Sequence, residues 1–122
     1  MDARMSPLKR GSKPLNWHPR RGEICLAQID KERPVIIISS DLLNRFSRDV
    51  CILPVSTAEH REFAMRPKLA AGEGGLTHES WAKCDQPTTI EQSDLVYPPL
   101  GMISAESIRT IEEAVKKALD VR

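Results

Sequence analysis

The sequence predicts a mainly β domain with short helices: a small barrel or sandwich carrying one amphipathic helix at its C-terminal end. Three observations predict it. Short β-branched and apolar runs recur between polar turns, and the final stretch instead carries a helical period. A chain of 122 residues, 40% hydrophobic and 29% charged, suits a single core. Two domains would leave each half too small to bury much apolar surface.

The elements follow in order. Residues 1–20 read as a basic, flexible extension and residues 21–122 as the single domain. The first 22 residues carry Arg4, Lys9, Arg10, Lys13, Arg20 and Arg21 against one acid, Asp2. Pro7, Gly11, Pro14 and Pro19 argue against a regular element there. A solvated tail is the simpler reading, phosphate contact the alternative. Glu23 to Ile29 reads as a strand ending in the polar turn Asp30-Lys31-Glu32. Pro34 to Ser39 is a β-branched run too short for a helix, hence a strand buried on both faces, and its proximity to the first makes an antiparallel hairpin. Asp41 to Phe46 suits one helical turn capped by Ser40 or Asp41. Val50 to Val55 is a third strand, in which Pro54 marks an edge or the strand's end.

Met65 to Leu69 is a weaker strand. Ala71-Gly72-Glu73-Gly74-Gly75 reads as a sharp turn; a phosphate cradle would need a following Lys-Ser/Thr and a helix. Trp81 to Asp85 is another short strand, and Pro98 to Ile103 a loop into the last element. There Ser104 serves as N-cap, Glu106 places an acid in the first turn, and Ile108, Ile111, Val115, Ala118 and Leu119 form one face of a helix from Ala105 to Asp120.

Several function classes fall away. Lys and Arg together number 18 against 17 Asp and Glu, a net charge of +1, so overall charge does not mark a nucleic-acid binder. Cys25, Cys51 and Cys84 make an odd count without a C-x-x-C pair, which indicates neither a disulfide framework nor zinc; each reads as a small core residue. No run has the length of a membrane span or the pattern of a signal peptide, and the cytoplasm is the expected compartment.

The candidate chemistry gathers at strand ends. His18, His60 and His78 are not spaced as metal ligands. Arg33 stands at the mouth of the second strand, Ser56 and Thr57 follow the third, and Lys83 and Asp85 are placed to share a strand face. A cation, a hydroxyl and a carboxylate–lysine pair suit phosphate chemistry. The ordinary alternatives are a solvated charge, a turn hydroxyl and a surface salt bridge.

Taken together, the ordered blocks R-G-E-I (Arg21 to Ile24), R-P-V-I-I-I-S (Arg33 to Ser39), D-L-L-N-R-F-S (Asp41 to Ser47), I-L-P-V-S (Ile52 to Ser56), A-G-E-G-G-L (Ala71 to Leu76) and C-D-Q-P-T-T-I (Cys84 to Ile90) resemble the MazF/PemK (Kid-like) toxins. These are endoribonucleases, or mRNA interferases, of type II toxin–antitoxin modules. The resemblance implies an SH3-like β-barrel with a C-terminal helix, a homodimer, and cleavage of single-stranded RNA at specific sequences without metal or cofactor. It further implies inhibition by a cognate antitoxin. Arg33, Ser56, Asp85 and Lys83 fall on catalytic positions: Asp85 to take the ribose 2′ proton, Arg33 and Ser56 to bind the phosphorane oxygens, Lys83 to stabilise charge or act as the acid. Lys31, Thr57, Gln86, Asn44 and Arg45 fall where RNA contacts are expected.

Two departures stand out. The long glycine-rich loop that relatives carry between their first strands, which supplies a histidine in PemK-type members, is reduced here to Asp30-Lys31-Glu32. Lys83 stands where PemK-type relatives carry arginine. RNA sequence preference therefore does not carry over. The CcdB toxins share the barrel but inhibit DNA gyrase without catalysis; together with an inactive binding relative, they are the alternative. The C-terminus lacks the Trp that such inhibitors place near the helix end, which favours the nuclease.

Overall fold

The computed structural model describes residues 13–58 and 64–122. Arg4, Lys9, Arg10 and His60 lie outside the described residues. The strands are β1 (Glu23–Gln28), β2 (Glu32–Ile37), β3 (Asp49–Ser56), β4 (Lys68–Leu69), β5 (Ser80–Ala82), β6 (Thr88–Glu91) and β7 (Leu95–Met102). Helix α1 (Asp41–Phe46) joins β2 to β3, and α2 (Ala105–Leu119) ends the domain. One curled antiparallel sheet runs in the order β4-β5-β3-β2-β1-β7, with β6 also paired to β3.

The β1–β2 hairpin pairs Cys25 with Val35 and Ala27 with Arg33. Both faces of β2 are covered, as its unbroken β-branched run requires. Ile36 joins Ile24, Leu53, Val55, Leu69, Ala82, Cys84 and Ile103 on the face closed by Ile111 and Ala114 of α2. Val35 and Ile37 join Cys25, Ala27, Val50, Ile52 and Leu95 on the other face, against which Trp17 and Ile90 pack. Helix α1 is capped by Ser40, whose hydroxyl accepts from the Leu43 N–H. In α2 the Ser104 hydroxyl accepts from the Ser107 N–H, and Asp120 closes the helix in a left-handed conformation.

Four expectations change. Pro54 is not at an edge: β3 pairs with β2 along one side, and along the other with β6 up to Ile52 and with β5 from Val55. The proline sits where one partner gives way to the next. Its carbonyl accepts from Lys83 N–H at 2.9 Å on that side, so the N–H it lacks falls in the gap. The expected loop at Pro98–Ile103 is largely β7. Its pairing to β1 jumps from Gly101↔Ile24 to Val96↔Leu26, so residues 97–100 bulge opposite Cys25 and Pro98 and Pro99 need donate nothing to the ladder. The strand expected from Trp81 to Asp85 stops at Ala82, because Gln86 N–H closes a turn on the Lys83 carbonyl at 3.0 Å. In α2 the buried row runs through Ile108, Ile111, Ala114 and Val115, leaving Leu119 56% exposed. Strand β6 had no expectation, since Thr88-Thr89-Ile90-Glu91 shows no apolar face.

Residues 13–20, assigned from sequence to the extension, lie on the sheet. The Lys13 ammonium donates to the carbonyls of Gln92 and Ser93, each at 3.2 Å. Trp17 meets Tyr97 edge to face at 5.4 Å, and Pro19 is fully buried. Among the described residues no helix is long and apolar enough to cross a membrane.

The glycine turn contains a single 3₁₀ turn, Glu73–Gly75, held against β7. Gly72 (φ 94°) faces open space, whereas a Cβ on Gly75 (φ 80°) would stand 2.1 Å from the Leu100 carbonyl oxygen. Gly72→Ala is expected to cost the backbone term alone, about 1–2 kcal/mol. Gly75→Ala should cost about 3 kcal/mol or more, because backbone must also move. Urea denaturation of both variants tests this, and equal midpoints would contradict the packing described.

Candidate active site

The pairing register decides which side chains share a surface. Paired residues in antiparallel strands project to the same face, and every second residue along a strand returns to it. Ala27 pairs with Arg33, Val35 with Pro54 and Ser56 with Trp81. Continuing the β2–β3 register by two residues sets Arg33 opposite Ser56, and the Lys83 N–H bond to Pro54 sets Lys83 opposite Pro54. Arg33, Ser56 and Lys83 therefore share the face whose apolar centre is Cys25, Val35, Ile37 and Ile52. At this corner the face passes from hydrocarbon to cations and a hydroxyl.

Each group has a local anchor. Arg33 forms a forked pair with Asp30 of the β1–β2 turn, Nε to Oδ1 at 2.9 Å and Nη2 to Oδ2 at 3.1 Å. This pair raises the guanidinium's pKa and holds the Asp30 carboxyl well below the usual carboxylate range. Both partners are largely solvated, so the pair adds little stability. Ser56 Oγ accepts from the Ala58 N–H at 3.1 Å, fixing the hydroxyl at the end of β3.

Asp85 sits in the turn between β5 and β6, not on a strand face with Lys83. Its forked partner is Arg66, a residue the sequence reading did not select: Nε reaches Oδ1 and Nη2 reaches Oδ2, both at 3.0 Å. The side chains are 17% and 30% exposed, the more sheltered of the two forked pairs. Hydrogen bonds from Arg66 are the main reason the Asp85 pKa is lowered, with a smaller contribution from the positive charge of Lys83. Burial pushes the thiols of Cys25 and Cys84 up to about 12, which removes both as nucleophiles at neutral pH.

The expected RNA contacts divide. Lys31, Thr57 and Gln86 are exposed next to Arg33, Ser56 and Asp85 along the chain. Asn44 is not presented to solvent at all. It is fully buried, its Nδ2 donates to the Ser39 carbonyl at 3.1 Å, and its Oδ1 receives the Ser39 hydroxyl. It ties α1 to the sheet, because Ser39 Oγ in turn accepts from Cys51 N–H. Arg45 is exposed on α1, stacked 5.4 Å over the Phe46 ring. It lines a groove of about 560 Å³ with Trp17, His18 and Gln92.

Sequence and fold both have known relatives. The profile of the PemK-like, MazF-like toxins of type II toxin–antitoxin systems matches residues 20–119. The endoribonuclease MazF9 of Mycobacterium tuberculosis is 29% identical over 115 residues, spanning 84% of this chain and 97% of that protein. The solved structure of the M. tuberculosis toxin MazF-mt6 superposes with a TM-score of 0.74 at 30% identity, covering 82% of this chain and 98% of that one. A mycobacterial endoribonuclease solved in complex with its cognate antitoxin has the same fold, with a TM-score of 0.75 at 21% identity over 85% of this chain and 97% of that one. With matching sequence from end to end of its barrel and the same curled sheet and closing helix, the chain belongs to the PemK-like, MazF-like toxins of type II toxin–antitoxin systems.

Proposed function

We propose that this toxin cuts single-stranded RNA by attack of a ribose 2′-hydroxyl on the adjacent phosphate, at the corner formed by Arg33, Ser56, Lys83 and Asp85. The chain is an endoribonuclease toxin, and on this proposal it is restrained by a cognate antitoxin and acts in the cytoplasm as a homodimer. The observation that carries the reading is the shared face. Two cations and a hydroxyl project from β2, the end of β3 and the residue after β5, with a carboxylate in the adjoining turn.

The groups present match the steps. Asp85, ionised at neutral pH, takes the 2′ proton as the oxygen attacks phosphorus. Arg33 releases Asp30 and turns its planar fork to two phosphorane oxygens, and Ser56 donates to the same oxygens. The bond from phosphorus to the 5′ oxygen breaks as Lys83 delivers a proton to that oxygen. The products are a 2′,3′-cyclic phosphate and a free 5′-hydroxyl, with no water consumed. All the charge this sequence of steps requires comes from side chains.

Incubating the purified protein with a long single-stranded RNA in EDTA tests the reading. Discrete fragments ending in cyclic phosphate are expected, and intact RNA would overturn it. Arg33→Ala should lose about 10²–10³ in rate through loss of a positioned donor. Asp85→Asn should lose at least about 10² through loss of the base. Near-normal cleavage by either folded variant would withdraw that residue from the site.

A pH test separates Asp85's structural share. Its folded-state pKa lies below its unfolded value, so the stabilisation is complete above about pH 4, the ordinary carboxylate value. It is lost as pH falls through the lower folded value. Asp85→Asn should therefore melt below the wild type at pH 7 and converge with it in strong acid. A gap that persists at the lowest pH would remove the Arg66 ion pair as its source.

A further inference from the structure

The β1–β2 turn fixes a carboxylate in front of a cation. Gln28 pairs with Glu32, which leaves Ile29, Asp30 and Lys31 to reverse the chain. The Ile29 N–H donates to the Lys31 carbonyl at 3.2 Å. Asp30 Oδ1 accepts from the Lys31 N–H at 2.9 Å, a bond made within the turn and independent of Arg33. From that position Asp30 offers both oxygens to one edge of the guanidinium, Oδ1 to Nε and Oδ2 to Nη2. Among the described residues it is the acid paired with Arg33.

The edge of a guanidinium that takes two carboxylate oxygens also takes two phosphate oxygens, so the two anions exclude each other along it. We infer that Asp30 is an internal competitor for the scissile phosphate: it occupies the Arg33 fork in the free toxin, and RNA engages that fork by displacing it. Asp30 thereby sets how tightly the site holds its substrate. Displacement strands neither group. The Asp30 side chain, 68% exposed, keeps the Lys31 N–H and gains water, while Arg33, 46% exposed, exchanges one anion for another. Protonation does not open the fork near neutral pH, because hydrogen bonds from Arg33 hold the Asp30 carboxyl well below the usual carboxylate range. A second anion at the guanidinium does. The inference rests on the proposed cleavage site, and its first readout does not require cleavage.

A double-mutant cycle on Asp30 and Arg33 tests this at constant salt. Binding is measured with a single-stranded RNA methylated at its 2′ oxygens, in which the attacking hydroxyls are blocked. Asp30→Asn keeps an oxygen for the Lys31 N–H but offers the fork no second one. It is expected to melt with the wild type, since a pair this solvated adds little to the fold. It should bind the RNA about two- to fivefold more tightly, the equilibrium worth of an exposed ion pair. In an Arg33→Gln background the same substitution should leave binding unchanged, because the fork it competes for is gone. On cleavable RNA, Asp30→Asn should lower KM by the same factor with kcat near the wild-type value, as expected of a group that acts on substrate binding. Asp30→Glu, which restores the carboxylate, should return KM toward the wild type. Unchanged or weaker binding by folded Asp30→Asn would overturn the inference. So would an equal gain in the Arg33→Gln background, which would make the effect long-range repulsion. A fall in kcat at constant KM would make Asp30 an orienting group for Arg33 instead, and a large loss of melting temperature would make the pair structural; either refutes competition. If the wild type binds the methylated RNA but leaves ordinary RNA intact, the cleavage reading fails while the binding cycle still decides Asp30. A wild type that binds no RNA refutes both.

Discussion

Strand β3 exchanges partners in mid-course, and the geometry of both the core and the corner depends on that exchange. Along one side it stays with β2. Along the other it leaves β6 after Ile52 and takes up β5 at Val55. A continuous ladder would demand a donor at every second residue of that side. Pro54 has none, and the sheet opens there at no cost in unpaired N–H groups. The opening admits the Lys83–Gln86 turn, which carries Asp85 to the surface. Cys84, the residue between them, goes fully into the core and pins the turn from below.

The two arginine–carboxylate forks differ in what surrounds them. Arg33–Asp30 is solvated on both sides, so water and salt already compete for it. Arg66–Asp85 is sheltered by the strand ends and less easily opened. The two pairs therefore differ in how readily their carboxylates exchange. Asp30 also answers a question raised by the shortened β1–β2 turn. Within that turn a carboxylate three residues away holds the Arg33 guanidinium in a defined place.

How far the sequence could be read follows from physical range. The hairpin, α1 with a cap at Ser40 or Asp41, the core of β3 and α2 were legible because each is set by neighbours in the chain: β-branched runs, N-caps, a helical period. β6 and β7 were not. Thr88–Glu91 is half exposed on both faces and so shows no alternation, and the prolines of β7 look like loop residues until the bulge opposite Cys25 is known. In the candidate site, the places of Arg33, Ser56 and Lys83 near strand ends were legible, and the register sets them on one face. Arg66 was not, although Met65–Leu69 and Trp81–Asp85 both read as strands. Placing it required their mutual register, which is tertiary information. Asn44 failed for another reason: the resemblance set it among the RNA contacts, and only the fold shows it turned into the core against Ser39.

For Asp85 as the base proposed above, pairing with a cation has a cost, since each step down in pKa weakens its pull on the 2′ proton. The loss is bounded. Asp85 is fully ionised at neutral pH with or without Arg66, so only driving force is surrendered, not the population of the reactive form. The clamp removes the rotational freedom of a carboxylate standing in a surface turn. Proton transfer in a reaction whose nucleophile belongs to the substrate depends on holding that oxygen in line with the departing one, and angular error is costly there. In the proposed reaction fixed direction is worth more than basicity, and the Arg66 fork supplies that direction.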